Sequence, residues 1–488
     1  MKETDVISLA VGHLNKKLKA NISTEYYTRV QTWRAWWEGY VEQVHSYKEL
    51  GIDNAPRKRE LYRLKMAKRV CEDWAALLLN EKTTLSLEHK PSSLFLQGED
   101  GTGGALGYNN FWCEANKLLE KAFAFGTGAF VARAEGAKID ANGRVVPDQN
   151  CKAGIEFVDA MHIIPLSVKK SKITECAFVS TYTQRGKEHC YIETHTQGED
   201  GNYIIENESF KIEGAQLNKE VLPEGIAEKI NTGGKYPWFA IIYPNIANNI
   251  RENNGLGMSV YADATDSLLA VDIAFNNFVK DFKLGGKKVF YNKAMLQTNT
   301  DGKTITPDDV TQQLFQQVGD GLDFDAKAMV QEFNPSLRVA ENKDGVQAQL
   351  DYLSFKCGMG TKRYQFENSG VKTATEYTGE KQELVQHANK HMIPIEAALK
   401  TLCAALLYIG KEFCGADTDP ETLVTVHFED GFIIDEQTER EQYRQDVREG
   451  LRAAWEYRVK FCGETEEEAK AVLSGLQTAQ SNPFSFMG

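Results

Sequence analysis

The stretch LDYLSFKCGMGTKRYQFENSGVKTATE, from Leu350 to Glu376, holds the pattern on which the fold of this 488-residue chain depends. Its first residues end a helix that is predicted from about Asp344 to Cys357. The apolar side of that helix consists of Val346, Leu350, Leu353 and Cys357. A loop from Gly358 to Val371 follows, and a second helix begins near Thr373. The sequence therefore predicts a helix, a loop and a second helix.

This second helix is long and runs from about Thr373 to Phe413, with Pro394 as its only interruption. Proline inside a helical pattern removes a hydrogen bond and bends the axis. The apolar stripe continues beyond the proline through Ile395, Leu399, Leu402, Leu406, Ile409 and Phe413. We therefore predict a kink at Pro394 and not the end of the helix.

Upstream of the opening stretch, another amphipathic helix is predicted from Met258 to about Leu284, and a small mixed insertion follows it. The apolar residues of this helix are spaced by sevens, threes and fours: Tyr261, Leu268, Val271, Phe275, Phe278 and Phe282. Gly285-Gly286 ends it. The insertion has a strand-like run, Lys288 to Tyr291, and a helix start at Thr306-Pro307-Asp308-Asp309, whose acids face the helix dipole. Two arrangements stay open for the stripes of these helices: packing within one subunit or packing against a neighbour in a ring. Helices separated by such an insertion can hardly form a bundle alone, which favours the neighbour.

The residues before these helices predict a helical unit followed by an antiparallel β unit. The first ninety residues indicate helices rich in tryptophan, among them a helix from Pro56 to about Asn80 with many Lys and Arg in its first half. These charges oppose the helix dipole and are typical of a solvated face; an acidic partner or DNA is the alternative. Apolar and polar residues alternate from Ile155 to about Ile212, which predicts antiparallel strands. The apolar run from Trp238 to Tyr243 predicts a further strand.

The residues after the long helix predict a short strand, Leu423 to Phe428, and a terminal helical unit from about Glu436 to Leu476. Thr465 and Glu468 form a capping box there. The fold class expected from all these elements is α+β, mainly α.

Composition is that of an ordinary globular protein, with 42% apolar and 26% charged residues. No run approaches the roughly 20 uninterrupted apolar residues that cross a bilayer, and the first residues lack the apolar region of a signal peptide, so we expect no membrane contact.

Nine cysteines without a CxxC pair indicate reduced thiols. The net charge of -13 argues against a protein that grips nucleic acid, but it fits a conduit whose acidic walls repel DNA.

Motifs that would indicate an enzyme are missing or incomplete. The pattern GxxxxGK[ST] is only imitated, near Gly234, Gly286 and Gly370. Gly126-Thr127-Gly128 is half of a dinucleotide fingerprint and is more typical of a tight turn. His387 and His391 lie four residues apart on the long helix without the glutamate of a metalloprotease, so we expect a surface pair. We therefore expect no catalytic residue, no cofactor and no metal.

In its order of elements the chain resembles the portal proteins of tailed bacteriophages of the siphovirus type. Two further stretches carry the resemblance beside the opening one: RLKMAKRVCEDWAALLLNEK, from Arg63 to Lys82, and EGLRAAWEYRVKFCGETEEEAKAVL, from Glu449 to Leu473. The first looks like that family's N-terminal wing helix and the second like its crown. Leu350 to Glu376 looks like its second stem helix, tunnel loop and the start of its long wing helix. The specificity of the resemblance lies in the joint order of these stretches.

The resemblance implies a portal fold with wing, stem, clip and crown, assembled as a ring around a central channel. The implied regions are the N-terminal wing (1–257), the first stem helix (258–284), the clip (285–343), the second stem helix (344–357), the tunnel loop (358–372), the long kinked wing helix with its strand (373–435) and the C-terminal crown (436–488).

The resemblance also implies roles for particular residues. Each cation of the tunnel loop would recur around the ring, so the candidates for non-specific phosphate contacts are Lys356, Lys362, Arg363 and Lys372. Ordinary loop charges are the alternative for them. Tyr364 and Phe366 would brace the loop against a neighbouring subunit or pack beneath it. The clip candidates for docking the terminase or the adaptor are Lys287, Lys288, Asp308 and Asp309.

The implied function is a channel at one capsid vertex, through which terminase packages double-stranded DNA and from which the DNA is ejected. The ring would also be the platform for head assembly and tail attachment. The implied partners are further copies of the chain in a dodecamer, the terminase large subunit, the major capsid protein and scaffold, the head-completion adaptor and double-stranded DNA. The implied location is the virion, after synthesis in the host cytoplasm.

Two other classes of protein stay open. One is a nucleic-acid-processing enzyme, such as a nuclease or a motor subunit, which ATP hydrolysis or metal-dependent cleavage by the purified chain would favour. The other is a head-tail adaptor without a DNA channel. Such adaptors are usually shorter and lack the order of helix, insertion, helix, loop and kinked helix.

Overall fold

The computed structural model describes residues 3–50, 55–80, 82–99, 101–139, 145–148, 150–223, 226–291, 315–317, 330–366, 374–428, 436–462, 466 and 469–473. The chain divides into two compact units. The first comprises Met1–Glu367 and Gln386–Phe428, and the second Asn368–Val385 and Glu429–Gly488. With 46% helix and 24% strand, the fold is α+β as predicted.

The helices of the described residues lie mainly before and after a long run of strands. They are α1 (Glu3–Leu18), α2 (Glu25–Glu38), α3 (Glu42–His45), α4 (Met66–Leu78), α5 (Lys90–Gln97), α6 (Gly104–Tyr108), α7 (Phe111–Phe125), α8 (Thr265–Leu284), α9 (Val339–Lys356), α10 (Ala374–Glu412), α11 (Glu436–Arg448) and α12 (Ala454–Cys462).

Most strands lie between α7 and α8. The strands are β1 (Ser46–Leu50), β2 (Pro56–Glu60), β3 (Thr84–Leu87), β4 (Gly128–Glu135), β5 (Lys138–Ile139), β6 (Val145–Val146), β7 (Lys152–Asp159), β8 (Ile163–Lys169), β9 (Lys172–Gln184), β10 (Lys187–Gln197), β11 (Tyr203–Glu213), β12 (Gln216–Glu220), β13 (Lys229–Asn231), β14 (Phe239–Ile242), β15 (Lys288–Tyr291), β16 (Phe315–Gln317), β17 (Val330–Phe333) and β18 (Val424–His427).

The predicted antiparallel β unit is confirmed and consists of two sheets. One has the order β12-β11-β10-β9-β8, with β13 beside β11, and the other the order β14-β4-β7. Helix α7 packs on β4 and β7 on one side and on α4 on the other. Gly126, with φ of 91°, turns the chain from α7 into β4, so the GTG sequence is a tight turn as expected. The core therefore lies between the three-stranded sheet and helices α2, α4 and α7, where Trp74, Phe123 and Phe130 are fully buried.

The N-terminal region departs from the prediction at Pro56–Glu60, which forms β2 and pairs with β1, so the helix begins only at Met66. Two side chains of α8 explain the extended backbone before Met66. The Leu64 N–H donates to Asp272 Oδ1 at 2.7 Å and the Tyr62 N–H to Asn276 Oδ1 at 3.2 Å. Backbone donors held by side chains are unavailable to a helix, and the prediction was wrong because it could not include these distant partners.

Two further helix boundaries differ from the expected ones. A short 3-10 turn at Ala262–Ala264 precedes α8, and α9 already begins at Val339, inside the region assigned to the clip. Helix α10 runs through Pro394, which confirms that the helix continues past the proline; the kink stays a prediction. The helix start at residues 306–309 lies outside the described residues.

The second unit contains α11 and α12, where one terminal helix was predicted. Gly450, with φ of 74°, lies in the break between them. Tyr443 packs edge-on against Phe461 with ring centroids 5.1 Å apart, and the Arg452 guanidinium lies 4.1 Å from the Tyr443 ring centroid. The capping box of Thr465 and Glu468 lies outside the described residues.

One helical segment of the described residues, Gln382–Glu412, is long and apolar enough to cross a membrane by length and composition. Within its most apolar window, 56% of the residues are buried inside the fold. A core helix has the same composition, because packing on every side selects apolar residues as a bilayer does.

Candidate functional site

Helices α8 and α9 form an antiparallel pair within the chain, which overturns the expectation that they need a neighbouring subunit in order to pack. Arg338 Nη2 lies 2.6 Å from Asp281 Oδ1, and Asn342 Nδ2 donates to Asp281 Oδ2 at 2.7 Å. These bonds join the end of α8 to the beginning of α9. The Arg338 hydrogen bond is also the main reason that the pKa of Asp281 is lowered. The prediction was wrong because it treated the insertion as a barrier, although three short strands, β15, β16 and β17, return the chain to α8.

The apolar stripe of α8 is buried at only one end. Tyr261, Leu268 and Val271 are buried, whereas Phe282 is 51% exposed and Leu284 is 62% exposed. Two large apolar side chains are thus left in water at this end of the helix pair.

Helix α9 likewise has both buried and exposed apolar side chains. Leu350 and Leu353 are buried, but Tyr352 is 64% exposed and Phe355 is 53% exposed. The intrachain pairing of α8 and α9 therefore leaves part of both apolar faces open.

The loop after α9 is held at its start by backbone and hydroxyl bonds. Gly358 ends the helix with φ of 74°, and a Cβ there would lie 3.3 Å from the His387 ring. The Met359 N–H donates to the Ser354 carbonyl at 3.0 Å, and Ser354 Oγ donates to the Gly360 carbonyl at 2.5 Å. Glycine adopts the left-handed conformation and leaves room for the close histidine without strain, which favours it where the chain leaves α9.

Tyr364 packs beneath the described part of the loop, residues 358–366. Its carbonyl accepts a hydrogen bond from Gln347 Nε2 at 3.0 Å, and its hydroxyl lies 3.9 Å from Met359 Sδ. Burial is the main cause that raises the pKa of Tyr364, and the nearby Asp73 carboxylate adds to it. Phe366 differs, since 72% of it is exposed. Of the two predicted bracing residues, Tyr364 contacts residues of its own subunit and Phe366 is mostly exposed.

The predicted phosphate-contacting cations have different surroundings. Arg363 Nη2 lies 3.7 Å from Asp73 Oδ1, and the same oxygen accepts from Arg69 Nη2 at 2.9 Å. Lys362 is exposed beside Arg363, and Lys356 is exposed in the last turn of α9. Lys372 lies outside the described residues. The structure thus brings three of the four cations to the end of α9 and the start of the loop.

Trp74 joins three elements beneath this loop. Its side chain is fully buried, and Nε1 donates to the Cys357 carbonyl at 3.2 Å. Its ring meets His391 edge-on with centroids 4.9 Å apart, and Phe123 meets the same imidazole at 5.0 Å. Helix α4, the end of α9 and the long helix α10 are therefore fixed to one another at one buried residue.

His391 is buried, so the predicted surface pair of His387 and His391 is wrong. Burial lowers the pKa of His391 to about 3, which keeps the imidazole neutral. The Asn245 N–H donates to His391 Nδ1 at 2.9 Å, and Asn245 Nδ2 donates to the Lys390 carbonyl at 2.8 Å. That carbonyl would bond the N–H of residue 394 in an ordinary helix, but proline has none. Asn245 thus supplies the donor that Pro394 lacks.

The clip candidates are only partly described. Lys287 Nζ lies 2.6 Å from Glu332 Oε1, which ties the beginning of β15 to β17. Lys288 lies in β15 opposite Phe333. Asp308 and Asp309 lie outside the described residues. The structure therefore gives Lys287 a role within the insertion and leaves the docking role a prediction.

Sequence reasoning missed Asp73, Gln347 and Asn245. An Arg69–Asp73 pair at i,i+4 was a visible signal on α4. Nothing in the sequence signals Asn245, because its partners on α10 are more than a hundred residues away. Among the described residues, no group of His, Cys, Asp and Glu side chains is arranged to hold a metal ion.

Comparison with known proteins gives a matching family and similar solved structures. The family model described as "Phage portal protein, SPP1 Gp6-like" matches residues 16–454. One solved structure is titled "Neck of native GTA particle computed with C12 symmetry"; it has 10% sequence identity and a TM-score of 0.35, with 81% of this chain and 88% of that chain covered. No curated protein sequence matches.

Proposed function

The chain belongs to the SPP1 Gp6-like phage portal protein family, and on that premise we propose that it forms the ring at one capsid vertex through which double-stranded DNA is packaged and ejected. The observation that carries this proposal is the extent of the family match, residues 16–454. It includes α8, the insertion, α9, the loop and α10, which we assign to the stem, clip, tunnel loop and wing helix. As a phage portal protein the chain is a virion component.

The proposed partner for ring assembly is a second copy of the chain, with a dodecamer as the expected product. The open apolar residues of α8 and α9 support this assignment. Phe282 and Leu284 lie at the clip end of the pair, and Tyr352 and Phe355 at the loop end. Each copy would present the same residues to its neighbour around the ring, which is how a closed cyclic interface hides a repeated apolar surface.

The proposed DNA contacts are the cations at the start of the loop and at its end. Lys356, Lys362, Arg363 and Lys372 would each recur in every subunit and meet phosphates without regard to base sequence. The net charge of -13 supports weak binding, because acidic walls repel a duplex that must keep moving. Arg363 would share its charge between Asp73 and phosphate.

The remaining contacts that we propose are those of a packaging and assembly platform. The clip, with Lys287, Lys288, Asp308 and Asp309, would dock the terminase large subunit and later the head-completion adaptor. The major capsid protein and scaffold would be further partners of the ring during head assembly. The protein would be made in the host cytoplasm before it enters the virion.

Electron microscopy of the purified full chain, with two-dimensional class averages, tests the proposal. We expect rings of about a dozen subunits with a central opening wide enough for a B-form duplex. The double variant Phe282→Ser and Leu284→Ser should shift rings toward monomers, and Val221→Ser, at an exposed apolar residue of the loop after β12, should not. Monomers or closed dimers of the unaltered chain, together with ATP hydrolysis or metal-dependent nuclease activity, would replace the portal function by an enzymatic one.

A further inference from the structure

Two cysteines distant in sequence meet at the C-terminal end of α10. Cys151 directly precedes β7, and Cys414 follows the last residues of α10. The Asp148 N–H donates to the Phe413 carbonyl at 2.9 Å, and the Cys151 N–H donates to the Asp148 carbonyl at 2.9 Å. The backbone thus holds the two segments together, and each thiol is near enough to shift the pKa of the other.

Neighbouring packing keeps this pair in place. Phe413 is buried, and its ring meets Trp238 edge-on with centroids 4.9 Å apart. The Cys414 N–H donates to the Ile409 carbonyl at 3.1 Å. Both cysteines are therefore attached to backbone whose neighbouring residues are hydrogen-bonded or packed.

The two thiols are chemically unequal. Cys151 is buried, whereas Cys414 is partly exposed and within reach of a dissolved reagent. The interaction with the Cys414 thiol raises the pKa of Cys151, and burial adds to that effect. The same interaction lowers the pKa of Cys414, against the opposing effect of burial. The accessible sulfur is therefore also the one with more thiolate character, and the thiolate is the nucleophile in disulfide exchange.

We propose that Cys151 and Cys414 are a site of intramolecular disulfide formation that links the end of α10 to the beginning of β7. The oxidant is a small disulfide such as oxidised glutathione. The Cys414 thiolate attacks one of its sulfurs, a mixed disulfide forms at Cys414, and one glutathione thiolate leaves. The Cys151 thiol then loses its proton to solvent and attacks Cys414 Sγ, and the second glutathione thiolate leaves. The protein is oxidised by two electrons, and one oxidised glutathione becomes two reduced ones.

Mass spectrometry of the full chain at rising ratios of oxidised to reduced glutathione tests the site. After alkylation of the remaining thiols and digestion with trypsin, peptide 145–152 (VVPDQNCK) should be joined to peptide 412–440. The joined species should be lighter than the two peptides by the two thiol hydrogens. We expect it in unaltered protein and in the matched control Cys113→Ser, which removes an exposed cysteine, but in neither Cys151→Ser nor Cys414→Ser.

The single variants also test the order of attack. Cys151→Ser should accumulate glutathione on Cys414, because the resolving thiol is missing, and Cys414→Ser should leave Cys151 alkylatable. Complete alkylation of both cysteines in the most oxidising buffer would overturn the proposal. So would a stable mixed disulfide on Cys414 in unaltered protein, or cross-links confined to the other cysteines. Glutathione on Cys151 in Cys414→Ser would overturn the proposed order.

Discussion

Replacing Trp74 with Phe tests whether this one buried residue holds the start of the loop after α9. The substitution keeps an aromatic ring against His391 and Phe123 but removes the Nε1–H that donates to the Cys357 carbonyl at 3.2 Å. A buried acceptor left without its donor costs about 1–3 kcal/mol. Taking about 2 kcal/mol for the local opening of the end of α9, amide exchange there should accelerate by roughly 30-fold.

Hydrogen exchange followed by mass spectrometry on assembled protein is the assay, with peptides that cover residues 353–366. Trp37→Phe is the matched control, since it removes an indole donor, Nε1 to Glu120 Oε1 at 3.0 Å, at a half-buried site. That loss should change exchange at residues 353–366 by less than a factor of two, because the hydrogen bond lies away from the loop. Exchange in Trp74→Phe within two-fold of the unaltered protein, or equal acceleration in both variants, would refute the assignment of Trp74 as the anchor of the loop.

Three further predictions concern Asn245, His162 and the cations of the loop after α9. Asn245→Ala should destabilise α10 around Lys390 by about 1–3 kcal/mol, because the Lys390 carbonyl loses its hydrogen-bond donor. Faster amide hydrogen exchange around Lys390 would show this. Asn249→Ala is the control, since it loses only a 3.5 Å contact with Asp263 on the surface. Burial opposes protonation of His162, but hydrogen bonds to Asp159 and Glu3 outweigh burial and raise the pKa of His162 to about 9 from the ordinary 6.5. Protonated His162 therefore stabilises the fold fully below pH 6.5, and this stabilisation is lost as pH rises through 9. Thermal unfolding across that range should show the loss in the unaltered protein and not in His162→Gln, and equal slopes in both would contradict it. Replacing Lys362 and Arg363 by Ala should alter DNA packaging or retention without preventing ring formation, and unaltered packaging would remove these residues from the list of channel contacts.

Much of the order of the fold could be predicted from sequence because it depends on local periodicity. Helices α8, α9 and α10 and the strands from β7 to β11 have periods of their own that any window of the chain displays. Glycine and proline marked several of their ends for the same reason, as at Gly285 and Gly358. The boundary errors fall where a distant partner outweighs local preference, as at Leu64, whose backbone donor bonds Asp272 and not its own helix.

The features of the candidate site likewise include some that the sequence predicts and some that only the tertiary structure shows. Lys356, Lys362 and Arg363 could be named from their position in the loop after a stem-like helix, because family resemblance follows the order of residues. The ion pair of Arg363 with Asp73 and the burial of Tyr364 depend on how α4 and α9 approach each other, and no local pattern contains that approach.

The sequence by itself thus determined the class, the order of helices and strands and the family resemblance, since these follow from local preference and the arrangement of residues along the chain. Tertiary structure alone decided that α8 pairs with α9 within one chain, that His391 is a buried neutral acceptor, and that Cys151 meets Cys414. Each of these depends on contacts between residues far apart in sequence, where burial and a specific donor or acceptor outweigh what either residue prefers alone.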